Sequence, residues 1–163
     1  MGTRSGDVDA GALTLIMEKE KMDYSGLNAL LNKQSGMVGI SGVSSDMREI
    51  EIAAAEGNEK AKLSLKMFRY RVRKYVGAYA AAMGGVDIIV LTGGIGENSS
   101  TDREEICKDL EFLGLEFDKS ANDGIRGIEQ IISKKDSKVV AMVVPTNEEW
   151  VIASDTKAIV EKI

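Results

Sequence analysis

Four short stretches of the sequence hold residue types suited to charged, phosphate-bearing ligands. Thr92-Gly-Gly-Ile-Gly-Glu-Asn98 follows an apolar run. Its glycines let backbone approach a flat base or a phosphate with no Cβ in the way. The spacing is neither the dinucleotide fingerprint nor a P-loop, because no Gly-Lys-Ser/Thr follows. A tight strand-to-helix turn explains it as well as nucleotide contact does. Arg4 stands in Gly2-Thr-Arg-Ser-Gly-Asp7. A guanidinium among small residues can offer its planar fork to an anion, or it can be an exposed arginine near a terminus. In Ser44-Ser-Asp-Met-Arg48, a carboxylate and a guanidinium two apart can grip a ribose or purine edge, but Asp46 is equally suited to cap a helix. Glu148 follows Pro145-Thr-Asn147. A first-turn carboxylate suits the helix dipole, and it is also an oxygen donor for Mg2+.

The elements that must carry these stretches are read from periodicity and punctuation. Residues 1–12 are rich in Gly, Asp and Ser and read as loop. Leu13–Glu20 and Tyr24–Asn32 read as helices, the second capped by Asp23 or Ser25. Residues 35–46, with their glycines and serines around Met37, Val38 and Ile40, read as loop with one short strand. Residues 47–56 read as a helix stopped by Gly57. The longest helix spans 59–83, where Phe68, Val72, Tyr75, Val76, Tyr79 and Met83 share a face and Gly84-Gly85 end the run. Val86–Leu91 is short and apolar throughout, which predicts a strand covered on both faces, as in a parallel sheet between helices. A helix from Ser100 or Thr101, boxed by Glu104, is expected to reach Gly114. Residues 116–136 carry no clear pattern. Val139–Val144 predicts a second buried strand stopped by Pro145, and a last helix runs to Lys162, capped by Thr146 with Glu149 or by Asn147. This order gives an α/β fold of one domain, with helices on a small, mostly parallel sheet. Two strands are thin for an independent sheet, so the first strands are expected to be missing.

Composition narrows the chemistry. Histidine is absent, which removes imidazole acid–base and His-ligand chemistry from this chain. One cysteine, Cys107, cannot form an internal disulfide and reads as a reduced thiol. A net charge of −5 argues against general nucleic-acid binding, and Arg69, Arg71, Arg73 and Lys74 read as the solvated face of a helix. No apolar run approaches the roughly 20 residues that cross a bilayer, and the amino terminus does not have the pattern of a secretory signal.

Taken together, the motifs resemble the acetate kinase family. Met1-Gly-Thr-Arg-Ser-Gly-Asp-Val-Asp9 is similar to the segment around that family's essential arginine, although the family pattern has proline where this chain has Ala10. Ser41-Gly-Val-Ser-Ser-Asp-Met-Arg48, Tyr70 through Asn98 and Pro145-Thr-Asn-Glu-Glu149 are similar as well, in the same order. The resemblance implies an actin-like, ribonuclease H-like ATPase fold of the sugar kinase, Hsp70 and actin superfamily. It implies reversible phosphoryl transfer from ATP to acetate, giving acetyl phosphate and ADP, in a cytoplasmic homodimer with no nucleic-acid or membrane partner. It assigns Arg4 to the transition state and Asp46, Met47 and Arg48 to the nucleoside. Gly94, Ile95, Gly96, Glu97 and Asn98 would line the adenine side, and Glu148 would help hold Mg2+ (or Mn2+). It also implies that this chain is a carboxy-terminal portion, inactive alone. In the family, an asparagine, an aspartate, a second arginine, a histidine and a phosphate-binding glycine loop come from earlier in the sequence. A propionate or butyrate kinase, or a non-catalytic nucleotide-binding module, remains as an alternative.

Overall fold

The computed structural model describes residues 2–162. It consists of two compact units, the first ending at Val72 and the second beginning at Arg73. The division falls within one long helix. Among the described residues, no helix is long and apolar enough to cross a membrane.

The first unit is helical: α1 (Ala10–Glu20), α2 (Tyr24–Lys33), α3 (Gly36–Ser41), α4 (Met47–Ala55) and the beginning of α5 (Glu59–Met83). Asp9 and Asp23 cap α1 and α2, each accepting from a backbone N–H three residues on. Helix α3 corrects the expectation of a loop with a strand at 35–46. Of its three glycines, Gly39 sits inside the helix, where a Cβ would lie 2.7 Å from the Gln34 carbonyl oxygen. The other two bound it: Gly36 (φ 63°) leads in, and Gly42 (φ 65°) closes the turn by donating to the Val38 carbonyl. Between them Met37 is buried with Ile50, Ala61 and Leu65, and Met47, Ala53, Ala54 and Phe68 pack around that core. Ile50 has no solvent exposure, and burial of such a side chain is worth about 1.5–3 kcal/mol.

The second unit is built on β1 (Ile88–Leu91), β2 (Gln130–Ile131) and β3 (Val140–Val143), with α6 (Gly93–Asn98), α7 (Ser100–Cys107), α8 (Lys119–Asn122) and α9 (Glu148–Val160). Sheet order is β1-β3-β2. β1 and β3 are parallel with Leu91 opposite Val143, and the two-residue β2 joins β3 antiparallel. The sheet is therefore mixed, with its parallel pair as predicted and a third strand from the segment that carried no pattern. Ile89, Leu91, Leu115, Ile132, Val139, Ala141 and Val143 are buried. The expected cover on both faces of β1 is not found. Ile88 and Val90 are 54% and 50% exposed, because their side chains alternate onto a face that the described residues leave bare.

Capping differs from the expected boxes. Ser99 starts α7 by accepting from Asp102 N–H, while Glu104 pairs with Lys119. Helix α7 stops at Cys107, short of Gly114, which instead ends the 3-10 turn at Glu111–Leu113. Asn147 caps α9 by accepting from Trp150 N–H; Thr146 is turned elsewhere. The basic run on α5 is not simply solvated. Arg71 pairs with Asp7 at 2.7 Å, and Arg73 pairs with Asp109 and donates to the Glu105 carbonyl. Both of these guanidiniums have a carboxylate within reach, and Lys74 is exposed.

Candidate functional site

In the first unit, the loop carrying Arg4 is fixed on both sides of that residue. Ser35 N–H donates to the Thr3 carbonyl at 3.0 Å, and Ser5 N–H donates to the Leu31 carbonyl at 2.9 Å. Val38 N–H binds the Gly2 carbonyl at 3.0 Å. Gly6 takes φ +74°, and a Cβ there would lie 2.5 Å from Arg71 Nη2. The loop therefore needs glycine where the Arg71 guanidinium crosses it on the way to Asp7. Arg4 itself is exposed, and its guanidinium has no hydrogen-bond or ion-pair partner among the described residues. The held backbone thus carries an exposed guanidinium able to pair with an anion. Met1, the first residue of the similar segment, lies outside the described residues.

The Ser44–Arg48 turn lies against the same loop: a Cβ on Gly2 would meet the Ser45 carbonyl oxygen at 3.0 Å. Asp46 caps α4. Its Oδ1 accepts from Arg48 N–H at 2.9 Å and from Arg48 Nε at 3.2 Å, and its Oδ2 accepts from Nη2 at 2.7 Å. The Arg48 hydrogen bonds hold the Asp46 carboxyl below its usual range, and Asp46 in turn raises Arg48. Both side chains are thus committed to each other while still exposed. Met47 packs on the core of the unit.

In the second unit, the glycine-rich segment is a short helix following β1 directly, not an open loop. Gly93 takes φ +70°. A Cβ on Gly96 would sit 2.9 Å from the Leu91 carbonyl carbon, so glycine is required there for packing against the strand. A Cβ on Gly94 would meet nothing within 4 Å, which leaves that residue open to an approaching flat ligand. Asn98 Nδ2 donates to the Gly94 carbonyl at 2.9 Å, and Ile95 is half-buried. Glu97 reaches back: its Oε1 accepts from Gly93 N–H at 2.9 Å, from Thr146 N–H at 2.8 Å and from the Thr146 hydroxyl. These donors, the Thr146 hydroxyl foremost, hold its carboxyl below the usual range. Glu148 opens α9 two residues beyond Thr146, exposed to solvent. The glycine segment and Glu148 are therefore brought to neighbouring turns, both at the carboxyl ends of adjacent parallel strands, where open α/β sheets bind ligands.

Glu148 is a hard oxygen donor of the kind Mg2+ takes. Among the described residues, no cluster of three or more Asp, Glu or Cys could enclose an ion.

Arg103 is a residue the sequence did not single out. It has no solvent exposure. Its Nη1 donates to the Gly96 carbonyl at 2.9 Å, its Nε to Asn122 Oδ1 at 2.7 Å, and its Nη2 to the Ile125 carbonyl at 2.9 Å and the Asn122 carbonyl at 3.3 Å. Burial pushes the guanidinium below its ordinary range. Arginine between Asp102 and Glu104 in an acidic helix reads as a surface residue, so no local signal marks it. Cys107, one turn on, is buried, and burial pushes its thiol up to about 12.

The family model described as the acetokinase family matches residues 1–154. A curated acetate kinase of Porphyromonas gingivalis is 60% identical over 161 residues, covering 99% of this chain and 40% of that protein. The crystal structure of Porphyromonas gingivalis acetate kinase superposes with a TM-score of 0.93 at 59% identity, over 98% of this chain and 40% of the other. A propionate kinase of Francisella tularensis gives a TM-score of 0.81 at 40% identity, over 91% of this chain and 38% of the other. The chain thus spans about 40% of the length of the curated relatives it matches.

Proposed function

The chain belongs to the acetokinase family, and on that premise we propose that it is part of an acetate kinase, transferring a phosphoryl group reversibly between ATP and acetate to give ADP and acetyl phosphate. In this reading Arg4 pairs with the charge on the transferring group. Asp46, Met47 and Arg48 contact the nucleoside, their mutual ion pair presenting one polar edge. Gly94, Ile95, Gly96, Glu97 and Asn98 line the adenine side, with Gly94 supplying the open approach. Glu148 holds Mg2+ (or Mn2+), which when bound neutralises charge on the phosphate oxygens. The same reading carries a cytoplasmic homodimer.

Phosphoryl transfer depends on positioning and on charge neutralisation more than on covalent chemistry by the protein. The single observation that supports the reading most directly is the uncommitted Arg4 guanidinium on a loop held at Thr3 and Ser5. A donor carried on a held backbone has less freedom to lose on meeting a transition state than one on a mobile loop.

The test is a chimera in which this chain replaces the matching segment of the Porphyromonas gingivalis enzyme. Acetyl hydroxamate formation should be near that enzyme's own, while the chain alone should form none. Arg4→Ala in the chimera should lower kcat on the order of 10³-fold and change the KM for ATP little. Turnover within a few-fold of the parent would remove Arg4 from its role. Propionate is the second reading, favoured by the similarity to the Francisella tularensis enzyme. Comparing kcat/KM for acetate and propionate in the protein's own full-length form decides between them.

A further inference from the structure

We propose that Glu97 is a positioning residue that couples the nucleotide-side turn to the metal-side helix through Thr146. The inference rests on the reading of Gly94 and Glu148 given above. It goes beyond that reading in making the two subsites interdependent.

The geometry starts from the sheet. β1 and β3 run side by side, and Val144 N–H still donates to the Leu91 carbonyl at 3.1 Å. Beyond that bond the ladder ends, because Pro145 has no N–H to give. From there β1 enters α6 after Thr92 and β3 enters α9 after Asn147, and among the described residues no backbone bond joins the two turns. The Glu97 carboxylate takes over. One oxygen accepts the first backbone N–H of α6, at Gly93, together with both donors of Thr146, which is 49 residues away in the chain.

If Glu97 served only to satisfy α6, the Gly93 contact would be enough. The two Thr146 contacts add nothing to α6 and instead fix the residue that precedes the Asn147 cap and Glu148. The segment is also held from behind. Arg103 grips the Gly96 carbonyl, and Gly127 N–H donates to the Glu97 carbonyl at 3.2 Å. A ligand pressing on Gly94 therefore meets a short helix that does not yield internally. Displacement is passed to Thr146 and the start of α9. Charge-assisted bonds of this kind are the stronger class of hydrogen bond.

The test uses the chimera with Thr146→Val, Thr146→Ser, Glu97→Gln and the Thr146→Val/Glu97→Gln pair, and Glu148→Gln as a control. Kinetics are read as kcat, KM for ATP and the Mg2+ concentration giving half activation; Mg2+-dependent ATP binding is read without turnover by titration calorimetry, and stability by thermal unfolding. Thr146→Val removes the hydroxyl donor and keeps the shape. It should raise half-activating Mg2+ about tenfold, the size expected for one bond to a charged group, with KM for ATP rising alongside. Thr146→Ser should restore both. Glu97→Gln should cost less on the Thr146→Val background than alone, since the two changes share the hydroxyl contact while the Gly93 and Thr146 N–H contacts remain. Full additivity would overturn the coupling. So would a Thr146→Val enzyme that loses only thermal stability or kcat, with its Mg2+ response unmoved. If Glu148→Gln leaves the Mg2+ response unchanged, the metal assignment itself fails; if it shifts the response and Thr146→Val does not, the coupling alone fails.

Discussion

Replacing Arg103 by methionine removes every donor of the guanidinium and keeps a long side chain in a site with no solvent exposure. The cavity contribution is therefore small, and the change isolates the hydrogen bonds. Four contacts are lost, to Asn122 Oδ1, the Asn122 carbonyl, the Gly96 carbonyl and the Ile125 carbonyl. Gly96 and Ile125 are partly exposed and can recruit water. Asn122 is buried; its carbonyl still accepts from Ile125 N–H at 3.4 Å, but its Oδ1 is left unpaired at about 1–3 kcal/mol. Relief of the desolvation cost of the buried cation offsets part of this. The net loss should be about 2 kcal/mol, a substantial share of the stability of an ordinary domain. Urea unfolding of this chain followed by circular dichroism, with amide exchange at Gly127 and Asp123 to locate the loss in the second unit, measures it. A loss below about 1 kcal/mol, or one equal in both units, would refute the claim that this guanidinium holds the α6–α8 region together.

The glycine pair in α6 gives a sharper contrast. Gly96→Ala forces a Cβ to 2.9 Å from the Leu91 carbonyl carbon and should cost about 1–3 kcal/mol in thermal unfolding. Gly94→Ala meets nothing within 4 Å, so it should leave stability intact while weakening nucleotide binding in the chimera by titration calorimetry. Cys107 should resist iodoacetamide at neutral pH until the chain unfolds. Its thiol is raised to about 12 from an ordinary 9.0, so the stability it contributes is full below pH 9 and falls as pH climbs toward 12; Cys107→Ala should flatten that alkaline limb. Glu97 is displaced the other way. It contributes stability above the ordinary carboxylate range, lost as pH falls through its lowered value, and Glu97→Gln should remove part of the acid limb of a pH–stability curve.

What was legible in the sequence is what local pattern decides. Helix α5 runs from Glu59 to Met83 as read, because a run rich in good helix formers, with Gly77 as the one glycine inside it, ends at two glycines, both of which take positive φ. The parallel pair β1 and β3 and the cap at Asp23 were legible for the same reason. Helix α3 was not, since three glycines and four serines outweigh one turn of apolar residues until Met37 finds Ile50 and Leu65. β2 exists only as a partner of β3. In the site, the glycine segment and Glu148 could be named from type and place. The bonds that hold them, Glu97 to Thr146 and Arg103 to Asn122, join residues 49 and 19 apart. Nothing near any of these residues in the chain announces them.

Strand β1 is apolar on both sides, yet only Ile89 and Leu91 are enclosed. Ile88 and Val90 are greasy positions facing water, and nothing this segment does by itself rewards them. A mutational scan of the segment alone would score both as freely replaceable by polar residues. The same scan in a longer protein whose other parts reach that face would score them as intolerant. The difference between the two maps would outline, residue by residue, what those parts press against.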